Sequence, residues 1–165
     1  LPVIARILDR ITHVIDEIVQ RVAFVCLVVM IIATTLQIVF RVFFDALAWS
    51  EEVSRYMLVW STFLGATLAY KRSMHISVTF VRESFSPGAR KALRIFAVVS
   101  ALVFFAVAFN FAVDYMSRQW QQVSAALRLP MPVVYIVMPI SLFVMILHAL
   151  DALVAEFARP QEEEL

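Results

Sequence analysis

Glycine, cysteine and charge are all scarce in this chain, and each scarcity excludes something. Only 2 of 165 residues are Gly, so loops built on repeated positive-φ positions are not expected. Cys26 is the sole cysteine, which rules out an internal disulfide framework and a thiolate metal cluster. Charged residues make up 16% and hydrophobic residues 62%, against about 25% and about 45–50% in a soluble domain. Phosphate-binding GxxxxGK[ST], HExxH, GxSxG and CxxC patterns are missing. His13, His75 and His148 include no pair at helical spacing within one apolar run, which argues against haem held between helices. The net charge of +1 gives no reason to expect nucleic acid.

What the chain does have is long uncharged runs. Val22–Phe40, Ile95–Val113 and Leu129–Leu150 carry no charge, and Val53–Tyr70 carries only Arg55 near one end. About 20 apolar residues in a helix cross the hydrocarbon core, because only a helix satisfies its own backbone there. The expectation is an all-α integral membrane protein with four transmembrane helices at about 22–40, 53–70, 95–113 and 129–150. Residues 1–21 precede this 22–150 domain and residues 151–165 form a tail.

Lys and Arg are distributed unevenly. Ten lie in the N-terminal segment, the middle loop and the tail, against four on the other side. The positive-inside rule then places both termini and the middle loop in the cytoplasm. The first 21 residues do not read as a signal peptide, since Asp9, Asp16 and Glu17 interrupt the basic residues and no small-residue cleavage site follows. Ile4, Ile7, Leu8, Ile11, Val14, Ile15, Ile18, Val19 and Val22 recur at steps of three and four, opposite a polar face of mixed sign. This is an amphipathic helix, lying in the cytoplasmic interface or packed on a partner subunit.

Small residues recur along two spans. Ser61, Gly65 and Ala69 lie four apart in the second, and Ala97, Ala101, Ala108 and Ala112 form a seam in the third. Such seams let backbones approach closely in lipid, within one subunit or between two. The middle loop should turn at Ser86-Pro87-Gly88. Pro130 and Pro132 suit the first turn of the fourth span, whereas Pro139 falls inside it and should free the Tyr135 carbonyl and kink the helix. Gln37 and Asn110 are the only strongly polar groups deep in a span. Arg55, Asp114, His148 and Asp151 sit near span ends, where snorkelling is cheap. Ion-coupled carriers need ionisable groups at mid-depth, so no ion path is expected through this chain.

The densest polar cluster is Trp49-Ser50-Glu51-Glu52-Val53-Ser54-Arg55-Tyr56. Ser50 could cap a helix, with Glu51 and Glu52 in its first turn and Glu51–Arg55 at i,i+4. Trp49 and Tyr56 suit the aromatic belt. Two carboxylates and an arginine exceed what anchoring needs, so the cluster could also position a partner.

That cluster, followed by Trp60, Phe63-Leu64-Gly65-Ala66, Lys71-Arg72 and His75-Ile76-Ser77-Val78, resembles the small membrane subunit of tripartite ATP-independent periplasmic (TRAP) transporters. Leu129-Pro130-Met131-Pro132 and Met138-Pro139-Ile140 are similar too. The likeness spans roughly residues 20–150 and departs at Thr79, where an acidic residue is common in the family. It implies a non-enzymatic scaffold subunit in the bacterial inner membrane, with no cofactor. Its implied partners are the lipid bilayer, a large multi-span elevator subunit carrying the sodium ions and an organic acid of the dicarboxylate or sialic acid class, and a periplasmic binding protein. It also implies Trp49, Glu51, Glu52, Arg55, Trp60, Gly65 and His75 as motif or interface residues. The alternative is an anchor subunit of a redox or other membrane enzyme.

Overall fold

A computed structural model describes residues 2–84 and 87–158, without the side chains of residues 2–5, 74–84, 87 and 90. Its helices are α1 (Pro2–Phe43), α2 (Ala48–Ser84), α3 (Pro87–Arg118), α4 (Met131–Tyr135) and α5 (Val137–Ala158). The described residues form no strand, only an isolated bridge between Val123 and Pro130.

Three helices are long and apolar enough to cross a membrane, within Arg6–Phe43, Lys91–Arg118 and Met131–Phe157. The expected fourth, within α2, falls short on apolarity rather than length. Its 37 residues would reach about 55 Å at 1.5 Å per residue. Ser61, Thr62, Gly65 and Thr67 dilute its central stretch, and charges close it at Arg55 and Lys71. Much of α2 can be polar because it packs on α1 and α5 and leaves less of itself to an apolar surrounding.

Two further expectations change. The 24-residue middle loop is almost all helix: α2 continues to Ser84 and α3 starts at Pro87, where the ring's missing N–H costs nothing. Ser86 of the proposed turn lies outside the described residues. Residues 2–21 and the apolar run behind them form one unbroken helix.

The helices run alternately up and down. Asp16, Lys71, Arg94, His148 and Glu156 meet at the end that holds the N-terminal part of α1 and the C-terminal part of α5. Glu52 meets the 119–130 loop at the other end. α5 is central: it packs on α1, α2 and α3, whereas α3 hardly touches α2. Accordingly 44% of the apolar window of Met131–Phe157 is buried, against 6% for that of α3. Val19, Ala23, Leu64 and Val137 make one core cluster, supported by Trp60, Phe63 and Met138.

The chain breaks its helix at Ile136, between α4 and α5. Pro139 cannot donate to the Tyr135 carbonyl, which accounts for an interruption one turn earlier. The Trp60 indole N–H donates to the Val134 carbonyl at 3.0 Å, so α2 stitches the broken span from the side.

Candidate functional site: a charge knot and a clamped loop

At the end holding the chain's N-terminal residues, polar groups from three helices converge. Thr12 is fully buried, His148 is 2% exposed, and Asp16 ion-pairs with Lys71 of α2. His148 Nε2 lies 2.9 Å from Asp16 Oδ1, close enough for an ion pair but poorly aligned for a hydrogen bond. The Thr12 hydroxyl reaches the Asp9 carbonyl at 3.0 Å and the Asp151 carboxylate at 3.3 Å. Nearby, Arg94 of α3 pairs with Glu156 of α5 at 3.5 Å, both largely buried. Polar contacts thus tie α1 to α2 and α5, and α3 to α5.

The sequence placed these groups differently. Asp16 reads as part of a solvated face, and His148 and Asp151 read as snorkelling span-end residues. What was missed is that Asp16 shares a side of α1 with Thr12, Val19 and Ala23, the side that packs inward. An inward face that mixes Thr and Asp with small apolar residues was the available signal.

At the opposite end the Glu51–Glu52–Arg55 cluster separates into two units. Glu51 and Arg55 pair at 2.8 Å on the surface, 60% and 62% exposed. Glu52 turns inward, and its carboxylate accepts the Ala126 and Leu127 backbone N–H groups at 2.8 and 3.0 Å. These two N–H groups, helped by Ser124 and Ala125, hold its carboxyl below the usual carboxylate range against the opposing effect of burial. The clamped loop is itself hairpin-like. Ser124 and Leu129 exchange backbone and hydroxyl hydrogen bonds, the Met131 N–H reaches the Gln122 carbonyl, and Arg128 takes φ 55°. Ser50 does not cap α2. The helix starts at Ala48, and the buried Ser50 hydroxyl donates to the Leu47 carbonyl at 2.8 Å.

The remaining candidates are scattered. Trp49 is exposed at the start of α2, and His75 is on α2 with its side chain outside the described residues. On α2, Ser61 and Gly65 are half-buried and Ala69 is exposed, and a Cβ added at Gly65 would meet nothing within 4 Å. On α3, Ala101 and Ala108 are half-buried and Ala112 is buried, whereas Ala97 is exposed. The Asn110 amide donates to the Ala106 carbonyl of its own helix at 2.8 Å. Among the described residues no group of three or more His, Cys, Asp or Glu could hold a metal ion.

Comparison with known proteins interprets this arrangement. The family model described as tripartite ATP-independent periplasmic transporters, DctQ component, matches residues 30–159. The chain belongs to this family. It is therefore a multi-pass membrane component of a transporter and not an enzyme. It is 30% identical over 92 residues to a Haemophilus influenzae protein described as a TRAP transporter small permease protein, covering 55% of this chain and 57% of that one. It is 32% identical over 59 residues to the sialic acid TRAP transporter small permease protein SiaQ of Vibrio cholerae, covering 36% and 34%. The matched regions thus span 57% and 34% of the lengths of these two relatives. The family match takes in Glu52, Lys71, Arg94 and His148, but Thr12 and Asp16 lie ahead of its start.

Proposed function

We propose that this chain is the small, fixed scaffold subunit of a binding-protein-dependent secondary transporter in the bacterial inner membrane. It crosses four times with both termini cytoplasmic, α2 supplying the second crossing. Beside it sits a large elevator-type subunit that carries sodium ions and an organic acid of the dicarboxylate or sialic acid class, delivered by a periplasmic binding protein. The family match carries this reading, and the name of the Vibrio relative motivates the substrate class.

The use of charge supports a scaffold. Asp16, Lys71, Arg94 and Glu156 are spent on one another as ties between helices, and Asn110 is spent on its own backbone. Glu52 is spent on a loop. A carrier keeps such groups for its ion. The exposed Glu51–Arg55 pair and Trp49 remain candidates for contact with the binding protein or the large subunit, and the Ser61–Gly65–Ala69 seam for contact with the large subunit.

The test is reconstitution. The chain, a large TRAP permease and its binding protein are purified together and placed in liposomes under an inward sodium gradient. Organic-acid uptake should require all three. Equal uptake by liposomes lacking this chain would sink the scaffold reading.

A further inference from the structure

The N-terminal half of α1 leaves part of its apolar face outside the bundle. Its polar Thr12 and Asp16 face the bundle and are held there by Asp151, Lys71 and His148. Ile7, Ile11 and Ile18 face away, whereas Ile15 and Val19 pack on the core. Ile11, Ile18, Val25, Ile32 and Val39 recur every seven residues and are between 39% and 57% exposed. Three residues after members of that row stand Val14, Val28 and Val42, and Ile7 lies four before Ile11, all between 38% and 67% exposed. In heptad terms this is an a/d seam with a β-branched residue at every a position. The inward row of Thr12, Val19, Cys26 and Ala33 follows each a residue by one position, about 100° further round the helix.

Lipid cannot cover all of it. The 42 residues of α1 extend about 63 Å, roughly twice the about 30 Å hydrocarbon core. With Val22–Phe40 in the bilayer, the row from Ile7 to Ile18 stands beyond the acyl chains. Because α1 is unbroken, that half cannot fold down into the membrane surface. Because Thr12 and Asp16 are pinned, the helix cannot roll to bury the row in its own bundle. A strict seven-residue row drifts by about 20° per heptad on a straight helix, so one partner can follow it only by wrapping left-handed around α1.

We infer that this seam docks an upright helix of a second, different membrane polypeptide, apolar along its length and carrying an acidic residue level with Arg21. A second copy of this chain fits poorly. Two parallel copies would oppose Arg21 to Arg21 at a d position, and would set Arg10 and Glu17 at g against Ile15 and Val22 at e. Charges at e and g choose coiled-coil partners, and here none is matched. Arg21 is 79% exposed and, among the described residues, pairs with Glu17 on its own helix. The inference rests on the chain being one subunit of a transporter complex, in which the large permease is the polypeptide able to supply such a helix.

The photoreactive amino acid p-benzoylphenylalanine, placed singly at Ile11, Ile18, His13 or Gln20 in the chain co-expressed with the large permease, tests this. Irradiation in native membranes should give permease adducts at Ile11 and Ile18 several-fold stronger than at His13 and Gln20, which lie at the same height off the seam. Arg21→Glu should lower the recovered permease several-fold. Adducts to a second copy, adducts of equal yield around the helix, or lipid adducts alone from an intact complex would overturn the docking and leave the subunit assignment standing. Failure of the unmodified chain to co-purify with the permease would instead defeat the subunit assignment, and the docking with it.

Discussion

Asp16 of α1 and His148 of α5 face each other at 2.9 Å, near opposite ends of the sequence, and Lys71 of α2 closes the same contact from the other side. The contact is three-way: the Asp16 carboxylate of α1 is shared by Lys71 of α2 and His148 of α5. Removing one partner of a fully buried pair costs about 3–5 kcal/mol, and an exposed pair contributes about 0–1 kcal/mol. Lys71 and Asp16 are 23% and 18% exposed, so Lys71→Met should cost an amount between those limits. Arg21→Ala, which breaks an exposed pair with Glu17, should cost about 0–1 kcal/mol. Adding Asp16→Asn to Lys71→Met should recover part of the loss, because the stranded carboxylate goes with its partner. Thermal unfolding of the purified chain in detergent measures all three. Equal midpoints for Lys71→Met and Arg21→Ala would show that the knot carries no stability.

The Glu52 clamp should be acid-sensitive. Its carboxyl titrates lower in the folded chain than in the unfolded one. The stabilisation is therefore complete above the ordinary glutamate value of about 4.3 and is lost as pH falls through the lower folded value. Hydrogen exchange at the Ala126 and Leu127 amides, corrected for its intrinsic pH dependence, should accelerate in that acid window. Glu52→Gln should raise exchange at neutral pH and remove the acid step. An unchanged acid step in Glu52→Gln would mean that another group releases the loop.

How far the sequence revealed these sites depended on the range of the interaction. The apolar runs, the Glu51–Arg55 pair and the interruption ahead of Pro139 follow from residues within one or two turns, and they are legible. The role of Glu52 is not, because its partners are backbone N–H groups of a distant loop that carry no side-chain signature. The knot failed for a different reason. Amphipathic reasoning sends Asp16 to water and isoleucine inward, whereas in this chain partners supplied by α2 and α5 turn Asp16 inward and leave Ile7, Ile11 and Ile18 outside. The helical continuation of α2 past Lys71 is hidden because clustered charge ends a span without ending a helix.

Topology is open to a direct check. The ten-to-four distribution of basic residues predicts cytoplasmic signals from reporter fusions after residue 85 and at the C-terminus. Fusions near Asp45 and Gln121 should report the periplasm. A periplasmic signal after residue 85 would invert the bundle and move the Glu52 clamp to the cytoplasmic face.

Gly65 separates packing within the chain from packing between chains. A Cβ there meets nothing within 4 Å, so the Gly65→Leu side chain starts into open space. The isolated variant should unfold at the wild-type temperature in detergent. If the Ser61–Gly65–Ala69 seam is where the large permease approaches, the added side chain should hold two backbones apart, since small residues set the closest helix approach in lipid. Recovery of the permease with the tagged variant should then fall several-fold. Gln37→Leu and Asn110→Leu serve as the contrast. They alter the strongly polar groups deepest in the spans, yet they should leave assembly and the sodium requirement of uptake unchanged. A several-fold shift in that requirement with an intact complex would mean that this chain lines the ion path. Wild-type recovery of the permease with Gly65→Leu would remove the seam from the interface and leave the outer face of α1 as the surface to pursue.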